Sequence, residues 1–367
     1  MSQYLCVLGR QPKISIAELE AVFGNATPIG TQLALINSPQ TPDISRLGGT
    51  LKIAKVLDEK PTKYLSSLPA GKITLGISDF RKKATARSAQ GEALFIKKLL
   101  KNRNGSLRII PNNDGAILST ATTLHNSIGG KNPHKVELII TDSITALVQQ
   151  VQSIIAYTKR DQTRPARDAR VGMLPPKLAQ ILVNLSTGPA NQGRLLDPFC
   201  GTGVILQEAS LIDLKVYGTD LEPRMIDYSE KNLKWIGAEN VTLETGDATK
   251  HQWSGLINFV SSEIYLGQPF STPPTDIKLK EVQHVTGSIL RSFLRNLHKQ
   301  IPANTPVTLA IPAWKRLDGT FSHLKVLDEL DQLGYNLHRF KNLDQGDLLY
   351  YRPDQVVARE ILVLRSK

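Results

Sequence analysis

Three acidic residues in the second half of the chain each follow a short apolar run, and a glycine-rich turn comes directly after the first of them. Asp197 opens the stretch DPFCGTG, Asp220 closes the next apolar run, and Asp247 lies in GDAT after a third. Carboxylates at the ends of successive parallel strands meet at one edge of a sheet. Gly201 and Gly203 let the backbone turn tightly into a helix and leave room for a ligand against the main chain. We therefore predict a nucleotide-type cofactor site.

The residue types in this site favour S-adenosylmethionine over a dinucleotide. A dinucleotide site requires the spacing G-x-G-x-x-G, and here Leu206 stands where the third glycine would follow Gly203. Asp197 would repel a pyrophosphate but would attract the ammonium group of a methionine moiety. Asp220 can accept hydrogen bonds from both ribose hydroxyls, and Asp247 is within reach of the adenine amino group. The predicted cofactor-binding residues are Asp197, Phe199, Gly201, Gly203, Asp220, Leu221, Asp247 and Ala248.

The surrounding pattern predicts the elements that must position these residues. From residue 191 onward, short apolar runs alternate with helical patterns, which is typical of a parallel sheet with right-handed crossovers. A helix should open at Pro175 and Pro176, since proline is tolerated in a first helical turn, and another is expected over 322–333. Before residue 157, β-rich runs separated by Gly, Asn and Pro indicate an α+β half. The predicted fold class is α/β, a doubly wound Rossmann-like domain preceded by that α+β half.

Positive charge is concentrated outside the Rossmann-like segment. The 367-residue chain has a net charge of +12; residues 1–158 contain 19 Lys and Arg against 10 Asp and Glu, whereas residues 192–367 contain 20 against 21. Between these blocks, four arginines fall within eleven residues: Arg160, Arg164, Arg167 and Arg170. This distribution is typical of a protein in which one part binds a polyanion and another part catalyses the reaction. A solvated basic surface is the alternative explanation.

In these motifs the chain resembles the THUMP-associated tRNA guanine-N2 methyltransferases, a class I group that acts on the exocyclic amine of a tRNA guanosine. The resemblance covers nearly the whole chain. It is strongest in DPFCGTG at 197–203, RPARDARVGMLPPKLAQILVNL at 164–185 and YLCVLGRQPKISIAELEAVFG at 4–24. It implies S-adenosylmethionine as the cofactor and tRNA or another structured RNA as the partner. A small activator protein is a further candidate partner.

The resemblance also implies a division of the chain and a location for the RNA. The implied segments are a ferredoxin-like α+β domain at 1–65, a THUMP-like RNA-binding domain at 66–156, an Arg-rich linker with a leading helix at 157–190, and the Rossmann-like methyltransferase domain at 191–367. The predicted RNA contacts are Lys82, Lys83, Arg87, Lys97, Lys98, Arg160, Arg164, Arg167 and Arg170. The alternative to RNA binding is that some of these arginines form structural ion pairs with Asp161 and Asp168.

The motif expected to contact the target amine departs from the family pattern. Enzymes of this kind carry Asp or Asn, two prolines and an aromatic residue after the fourth strand, so that acceptors take the amine N–H bonds while the aromatic ring stacks on the flipped base. Here NFVSSEIYLGQP at 258–269 keeps the aromatic residue as Tyr265 but lacks the acid and both prolines. Either Ser262 takes the place of the acid, or Glu263 reaches the amine with its longer side chain. We predict Glu263 as the acceptor; its alternative role is an ion pair with an arginine.

Two other functions stay open at this point. A DNA amino-methyltransferase shares the catalytic pattern but would carry a target-recognition region instead of the THUMP-like half. A cofactor-retaining RNA-binding protein would result if SEIY at 262–265 no longer catalyses. A cytosine C5 enzyme is excluded, because it needs a nucleophilic cysteine after the fourth strand and the chain has only Cys6 and Cys200.

The composition excludes several kinds of site and of cellular location. Two cysteines exclude a four-thiolate zinc or iron–sulfur site and make a disulfide framework implausible, and the histidines show no paired metal-ligand spacing, so no metal is predicted. No apolar run approaches the roughly 20 residues that span a bilayer, and the N-terminus lacks the order of a secretory signal. We expect a cytoplasmic protein with no membrane partner.

Overall fold

The computed structural model describes residues 1–101, 105–168 and 173–367, so Arg170 lies outside the described residues. Its contacts divide these residues into two compact units. The first comprises Met1–Pro12, Asn25–Arg46 and Thr50–Ala156, and the second comprises Lys13–Gly24, Leu47–Gly49 and Tyr157–Lys367. Within the described ranges, no helix combines the length and the apolar character that a membrane crossing requires.

The strands and helices follow in chain order. The strands are β1 (Ser2–Leu8), β2 (Thr27–Ile29), β3 (Leu33–Ser38), β4 (Thr50–Val56), β5 (Ile73–Asp79), β6 (Leu107–Ile109), β7 (Lys135–Ile140), β8 (Thr145–Val151), β9 (Arg194–Asp197), β10 (Lys215–Asp220), β11 (Val241–Thr245), β12 (Phe259–Glu263), β13 (Pro306–Lys315), β14 (Phe321–Ser322), β15 (Tyr335–Leu337), β16 (Leu349–Tyr350) and β17 (Val357–Ser366). The helices are α1 (Pro12–Phe23), α2 (Pro61–Ser67), α3 (Ala86–Leu99), α4 (Thr120–His125), α5 (Ile154–Gln162), α6 (Pro176–Thr187), α7 (Val204–Ser210), α8 (Pro223–Ile236) and α9 (Asp276–His298).

The first unit is built on one mixed sheet with the strand order β2-β3-β1-β4-β8-β7-β5-β6. β1 pairs antiparallel with β3 and β4, whereas β5 pairs parallel with β6 and β7. The antiparallel pairing of β4 with β8 joins the segments 1–65 and 66–156 into this sheet, although the family resemblance implies separate ferredoxin-like and THUMP-like domains. The domain boundary at residue 65 therefore stays a prediction.

A buried ion pair stabilises the interior of the first unit. Lys52 Nζ donates to Glu137 Oε1 at 2.5 Å and to the carbonyl oxygen of Leu118 at 2.8 Å. Ser78 and Thr123 donate their hydroxyls to the same carboxylate at 2.6 and 2.7 Å. Buried charges are tolerated when they are paired and hydrogen-bonded in this way. The pair therefore holds the segment around Leu118 against the sheet.

The second unit has the strand order β11-β10-β9-β12-β13-β17-β15, with β14 paired to β13 and β16 paired to β17. Strands β9 to β13 are parallel to one another, and β17 is antiparallel between β13 and β15. The chain order reverses between the neighbouring strands β9 and β12. In open α/β sheets, ligands bind beyond the carboxyl ends of the strands at such a reversal. The predicted doubly wound Rossmann-like fold is confirmed, and the reversal predicts where its ligand lies.

The segment 157–190, predicted to be an Arg-rich linker with a leading helix, is part of the second unit. Its helix α6 opens at Pro176, directly after Pro175, as the paired prolines predict. Nearly all of α6 is buried, including Leu178, Leu182 and Val183. This part of the chain thus packs into a core.

The helix predicted over 322–333 is wrong. The segment instead begins in β14 and contains a short 3-10 turn at Leu327–Glu329. Its apolar side chains are buried in the core of the second unit without forming a regular helix: Leu324, Val326, Leu330 and Leu333. Burial alone therefore explains the apolar spacing that suggested a helix.

Candidate cofactor and active site

The glycine-rich turn has the backbone shape that its sequence predicts. β9 ends at Asp197, and α7 begins at Val204 with Gly203 as its N-cap residue. Gly201 and Gly203 have φ values of +51° and +77°, in the left-handed region that favours glycine. A Cβ at Gly203 would lie 2.8 Å from Ser229 Oγ, whereas a Cβ at Gly201 would meet nothing within 4 Å. Close packing therefore requires a glycine at 203, and Gly201 faces open space.

Asp197 is a buried carboxylate at the end of β9. Its Oδ1 accepts hydrogen bonds from Ser262 Oγ at 2.6 Å and from the backbone N–H of Phe199 at 3.3 Å. Burial raises the pKa of Asp197 to about 7; these two hydrogen bonds oppose the rise, and the nearby charges of Asp220 and Glu263 add to it. A positively charged ligand group beside Asp197 would favour its ionised form.

Asp220 ends β10 and reaches back to the glycine-rich turn. Its Oδ2 accepts from the backbone N–H of Gly201 at 2.9 Å, and its Oδ1 accepts from that of Glu222 at 3.0 Å. Burial raises its pKa, and both backbone hydrogen bonds oppose the rise. Leu221, the next residue, leaves 66% of its surface exposed. The strand end thus places a partly buried carboxylate next to an exposed apolar side chain.

Asp247 lies in the turn after β11. Its Oδ1 accepts from the hydroxyl of Thr249 at 2.7 Å and from the backbone N–H of Thr249 at 2.9 Å, and these bonds lower the pKa of Asp247. Ala248 is buried, and its carbonyl oxygen accepts from Asn296 Nδ2 at 3.0 Å. The carboxylate is therefore ionised at neutral pH and held in place by its own turn.

The remaining predicted cofactor residue, Phe199, lies in the turn between β9 and α7. Its ring is half-buried and meets Phe293 of α9 edge to face, with 5.1 Å between the ring centroids. Phe293 in turn packs edge to face against Trp253. The turn is therefore held in place by the packing of these three aromatic rings.

The altered catalytic motif lies at the end of β12, next to β9. Ser262 is fully buried and donates its hydroxyl to Asp197, so it belongs to the interior of the cofactor site. Glu263 forms an ion pair with Arg359 of β17, the alternative role foreseen for this carboxylate. Tyr265 leaves 48% of its surface exposed. The structure thus gathers Asp197, Ser262 and Glu263, with Tyr265 two residues further on.

Arg359 is a site residue that the sequence analysis missed. It lies in the apolar strand β17 and is buried together with its neighbour Glu360. Glu360 accepts a hydrogen bond from His323 Nδ1 at 2.9 Å, and this contact raises the pKa of His323. The signal in the sequence was the pair Arg359 and Glu360 inside VAREILVL at 357–364, because charged residues in a buried strand require partners.

The arginines before the catalytic domain are only partly available to RNA. Arg160 Nε donates to the buried Glu208 at 2.7 Å, and Arg164 is 3% exposed. Arg160 is partly buried and Arg164 is buried, so either side chain would have to rearrange to reach a phosphate, and their role as RNA contacts stays a prediction. Arg167 is exposed and donates to the carbonyl oxygen of Gln162 at 3.1 Å.

The basic residues predicted in the first unit are all exposed. Lys82 and Lys83 precede α3, Arg87 lies in its first turn, and Lys97 and Lys98 lie in its last turn. A helix of 14 residues is about 21 Å long, so α3 separates two basic groups by roughly that distance. A cleft of about 700 Å³ opens beside Lys82 and Lys83.

Comparisons with known proteins agree with this geometry. Residues 164–303 match the family model UPF0020: RMKL-like, methyltransferase domain. A tRNA (guanine(10)-N2)-dimethyltransferase of Methanothermobacter thermautotrophicus is 30% identical over 168 residues, which are 45% of this chain and 47% of that protein. Another, from Pyrococcus abyssi, is 43% identical over 77 residues, 21% of this chain and 22% of that protein. This chain thus spans about half of the first relative and about a fifth of the second.

Among solved structures, the crystal structure of TrmN from Thermus thermophilus is similar over 100% of both chains, with 16% identity and a TM-score of 0.49. The family match covers the glycine-rich turn, Asp220, Asp247 and the end of β12. The resemblance to tRNA guanine-N2 methyltransferases is confirmed by these relatives, and residues 164–303 match the model of an RMKL-like methyltransferase domain.

Proposed function

We propose that this chain is an S-adenosylmethionine-dependent methyltransferase that methylates the N2 amine of a guanosine in tRNA. One observation carries the proposal: the hydrogen bond from Ser262 Oγ to Asp197 Oδ1 at 2.6 Å holds the cofactor loop beside the end of β12. Glu263, the next residue, lies near enough to Asp197 for its charge to add to the raised pKa of that carboxyl. The named activity of the archaeal relatives supports the choice of substrate.

The residues present fit the proposed cofactor. Asp197 would meet the ammonium group of its methionine moiety, Asp220 the ribose hydroxyls, and Asp247 the adenine amino group. Leu221 would pack against the adenine ring. When bound, S-adenosylmethionine supplies a methyl group on a positively charged sulfur. The chain's own task is to bring an amine to that methyl group and to exclude water.

Glu263 and Tyr265 are proposed to receive the guanine base. The lone pair of the amine is delocalised into the ring, so an acceptor for its N–H bonds favours the approach of the nitrogen and stabilises the positive charge that develops on it. Tyr265, with its exposed ring, would stack on a base flipped out of the RNA. Ser262 is proposed to support both sites through Asp197.

The basic half of the chain is proposed to hold the RNA. The candidate contacts are Lys82, Lys83, Arg87, Lys97 and Lys98, with Arg167 and Arg170 before the catalytic domain. Their charge would supply a sequence-independent attraction to phosphate. A requirement for a small activator protein and a cytoplasmic location stay predictions.

A second function is favoured by one specific observation. The ion pair with Arg359 already occupies one oxygen of Glu263, the candidate acceptor. If this carboxylate no longer serves an amine, the chain is a cofactor-retaining RNA-binding protein. Methyl transfer from labelled S-adenosylmethionine to total tRNA separates the two functions, because binding without incorporation would favour the second.

Replacing Glu263 by Gln tests the acceptor. The substitution keeps the size of the side chain but removes its charge, and we expect kcat for tRNA methylation to fall by about 100-fold. The affinity for S-adenosylmethionine should change little, because Asp197, Asp220 and Asp247 are untouched. Nucleoside analysis should find N2-methylguanosine in tRNA treated with the wild-type protein. An unchanged kcat would contradict the assignment of Glu263.

Replacing Asp197 by Asn tests the cost of its buried charge. The folded protein keeps Asp197 protonated up to about pH 7. The free energy of unfolding of the wild type should therefore fall, compared with that of the variant, as pH rises from about 4 to 7. A shift of about three pKa units corresponds to roughly 4 kcal/mol. Unfolding by urea without cofactor, at pH 4.5 and 8, measures this divergence between variant and wild type.

The exposed Asp227 on α8 gives the control for this experiment, and Asp227→Asn should show no such divergence. Asp197→Asn should also weaken binding of S-adenosylmethionine, because a neutral amide attracts an ammonium group less strongly. A pH dependence equal to that of the wild type would show that Asp197 is ionised in the folded protein throughout this range.

Charge removal at the two ends of α3 tests the RNA surface. The double variants Lys82→Gln/Lys83→Gln and Lys97→Gln/Lys98→Gln should each weaken tRNA binding. Each should also reduce the slope of log K against log salt by about 1 to 2. The control is Lys63→Gln, which removes an exposed charge that is paired with Glu59 in the same unit. Equal slopes for all proteins would exclude α3 from the RNA surface.

A further inference from the structure

The ion pair between Glu263 and Arg359 spans a strand that lies between them. Glu263 of β12 is opposite Ala310 of β13, which is opposite Ile361 of β17. Arg359 is two residues from Ile361 and therefore points to the same face of the sheet. Neighbouring strands are about 4.8 Å apart, so the two residues lie on strands separated by about 10 Å. Only long side chains can meet across that distance.

Small side chains on β13 leave room for this contact. The residues beneath it are Ala310 and Pro312, the latter directly opposite Arg359. Arg359 can therefore extend over β13 towards Glu263 without a bulky neighbour in the way. Glu360 points to the other face and pairs with His323, so it does not compete with Glu263 for Arg359.

The two partners differ in burial, and only one oxygen of Glu263 takes part in the contact. The side chain of Arg359 is 6% exposed and that of Glu263 is 16% exposed, so the arginine lies deeper than the carboxylate. Arg359 Nε donates to Oε1 of Glu263. Among the described residues, Oε2 has no hydrogen-bond partner. The ion pair therefore fixes one oxygen of the carboxylate and leaves the other without a hydrogen bond among the described residues.

We propose that Arg359 is a positioning residue that holds Glu263 so that Oε2 alone faces the target amine. This inference rests on the proposed function and deepens it. A glutamate has one more rotatable bond than the aspartate of the family motif, and here both prolines that stiffen that motif are missing. Holding one oxygen by an arginine removes this freedom before the substrate binds, which reduces the entropy lost in the reaction.

A double-mutant cycle in the full-length protein tests the proposal. The variants are Arg359→Met, Glu263→Gln and the two combined, each assayed for kcat and KM with tRNA at saturating S-adenosylmethionine. We expect Arg359→Met to lower kcat by on the order of 100-fold with little change in KM, because a misplaced acceptor affects the reaction more than binding. The combined variant should be no slower than Glu263→Gln alone, since both changes remove the same interaction.

Arg359→Lys provides the conservative rescue. An ammonium group can pair with Oε1 but lacks the rigid planar fork of arginine, so kcat should fall between those of the wild type and Arg359→Met. This variant also keeps the proposal testable if Arg359→Met does not fold. Thermal unfolding and binding of S-adenosylmethionine report folding for every variant.

The matched control is another Arg–Glu pair in the same unit. Arg291 of α9 donates to Glu329 at 2.5 and 2.7 Å, and Arg291→Met should lower the melting temperature without changing kcat. Two results would overturn the positioning role of Arg359 and leave the proposed function standing. One is a wild-type kcat in Arg359→Met, and the other is a combined variant whose loss of kcat equals the product of the two single losses. A wild-type protein that binds tRNA and S-adenosylmethionine but transfers no methyl group would overturn the proposed function and this inference with it.

Discussion

A buried hydrogen bond from Ser262 Oγ to Asp197 Oδ1, 2.6 Å long, joins the ends of β9 and β12. These strands are neighbours at the point where the chain order of the sheet reverses, which is where open α/β sheets bind their ligands. The bond partly compensates a carboxylate that burial otherwise penalises. The cofactor turn and the candidate acceptor are positioned relative to each other through this contact, and the arrangement of both sites depends on it.

The charges of the buried Asp197 and the partly buried Glu263 are stabilised by different means. Asp197 is shielded from solvent and has a pKa raised to about 7, so a cationic ligand beside it would favour its ionised form. Glu263 instead has a permanent cationic partner in Arg359. A proline-containing motif restricts its acid through the backbone, whereas SEIY at 262–265 leaves that task to a side chain from a distant strand. The altered motif is therefore compatible with catalysis, provided that Arg359 leaves Oε2 free to accept.

The cofactor half of this site could be predicted from the sequence because its parts are local. Asp197 and Gly203 lie within seven residues, and the strands that follow alternate regularly with helices. The Arg359 contact joins residues 96 positions apart, so no local spacing reveals it. Likewise, a basic run does not show which side chains fold inward: among the predicted RNA contacts, Arg164 is buried and Arg160 pairs with Glu208, whereas Arg167 is exposed. The helix expected over 322–333 failed because apolar residues in an irregular loop can be buried just as well.

The central claim is that Asp197 and its neighbouring carboxylates bind S-adenosylmethionine. Calorimetric titration of the cofactor at pH 6, in two buffers of different ionisation enthalpy, measures both affinity and proton exchange. Because Asp197 is mostly protonated at pH 6 and must ionise to meet an ammonium group, we expect binding at one site with release of up to about one proton, and no release at pH 8.5. Absence of binding, or binding at pH 6 without proton release, would contradict the account.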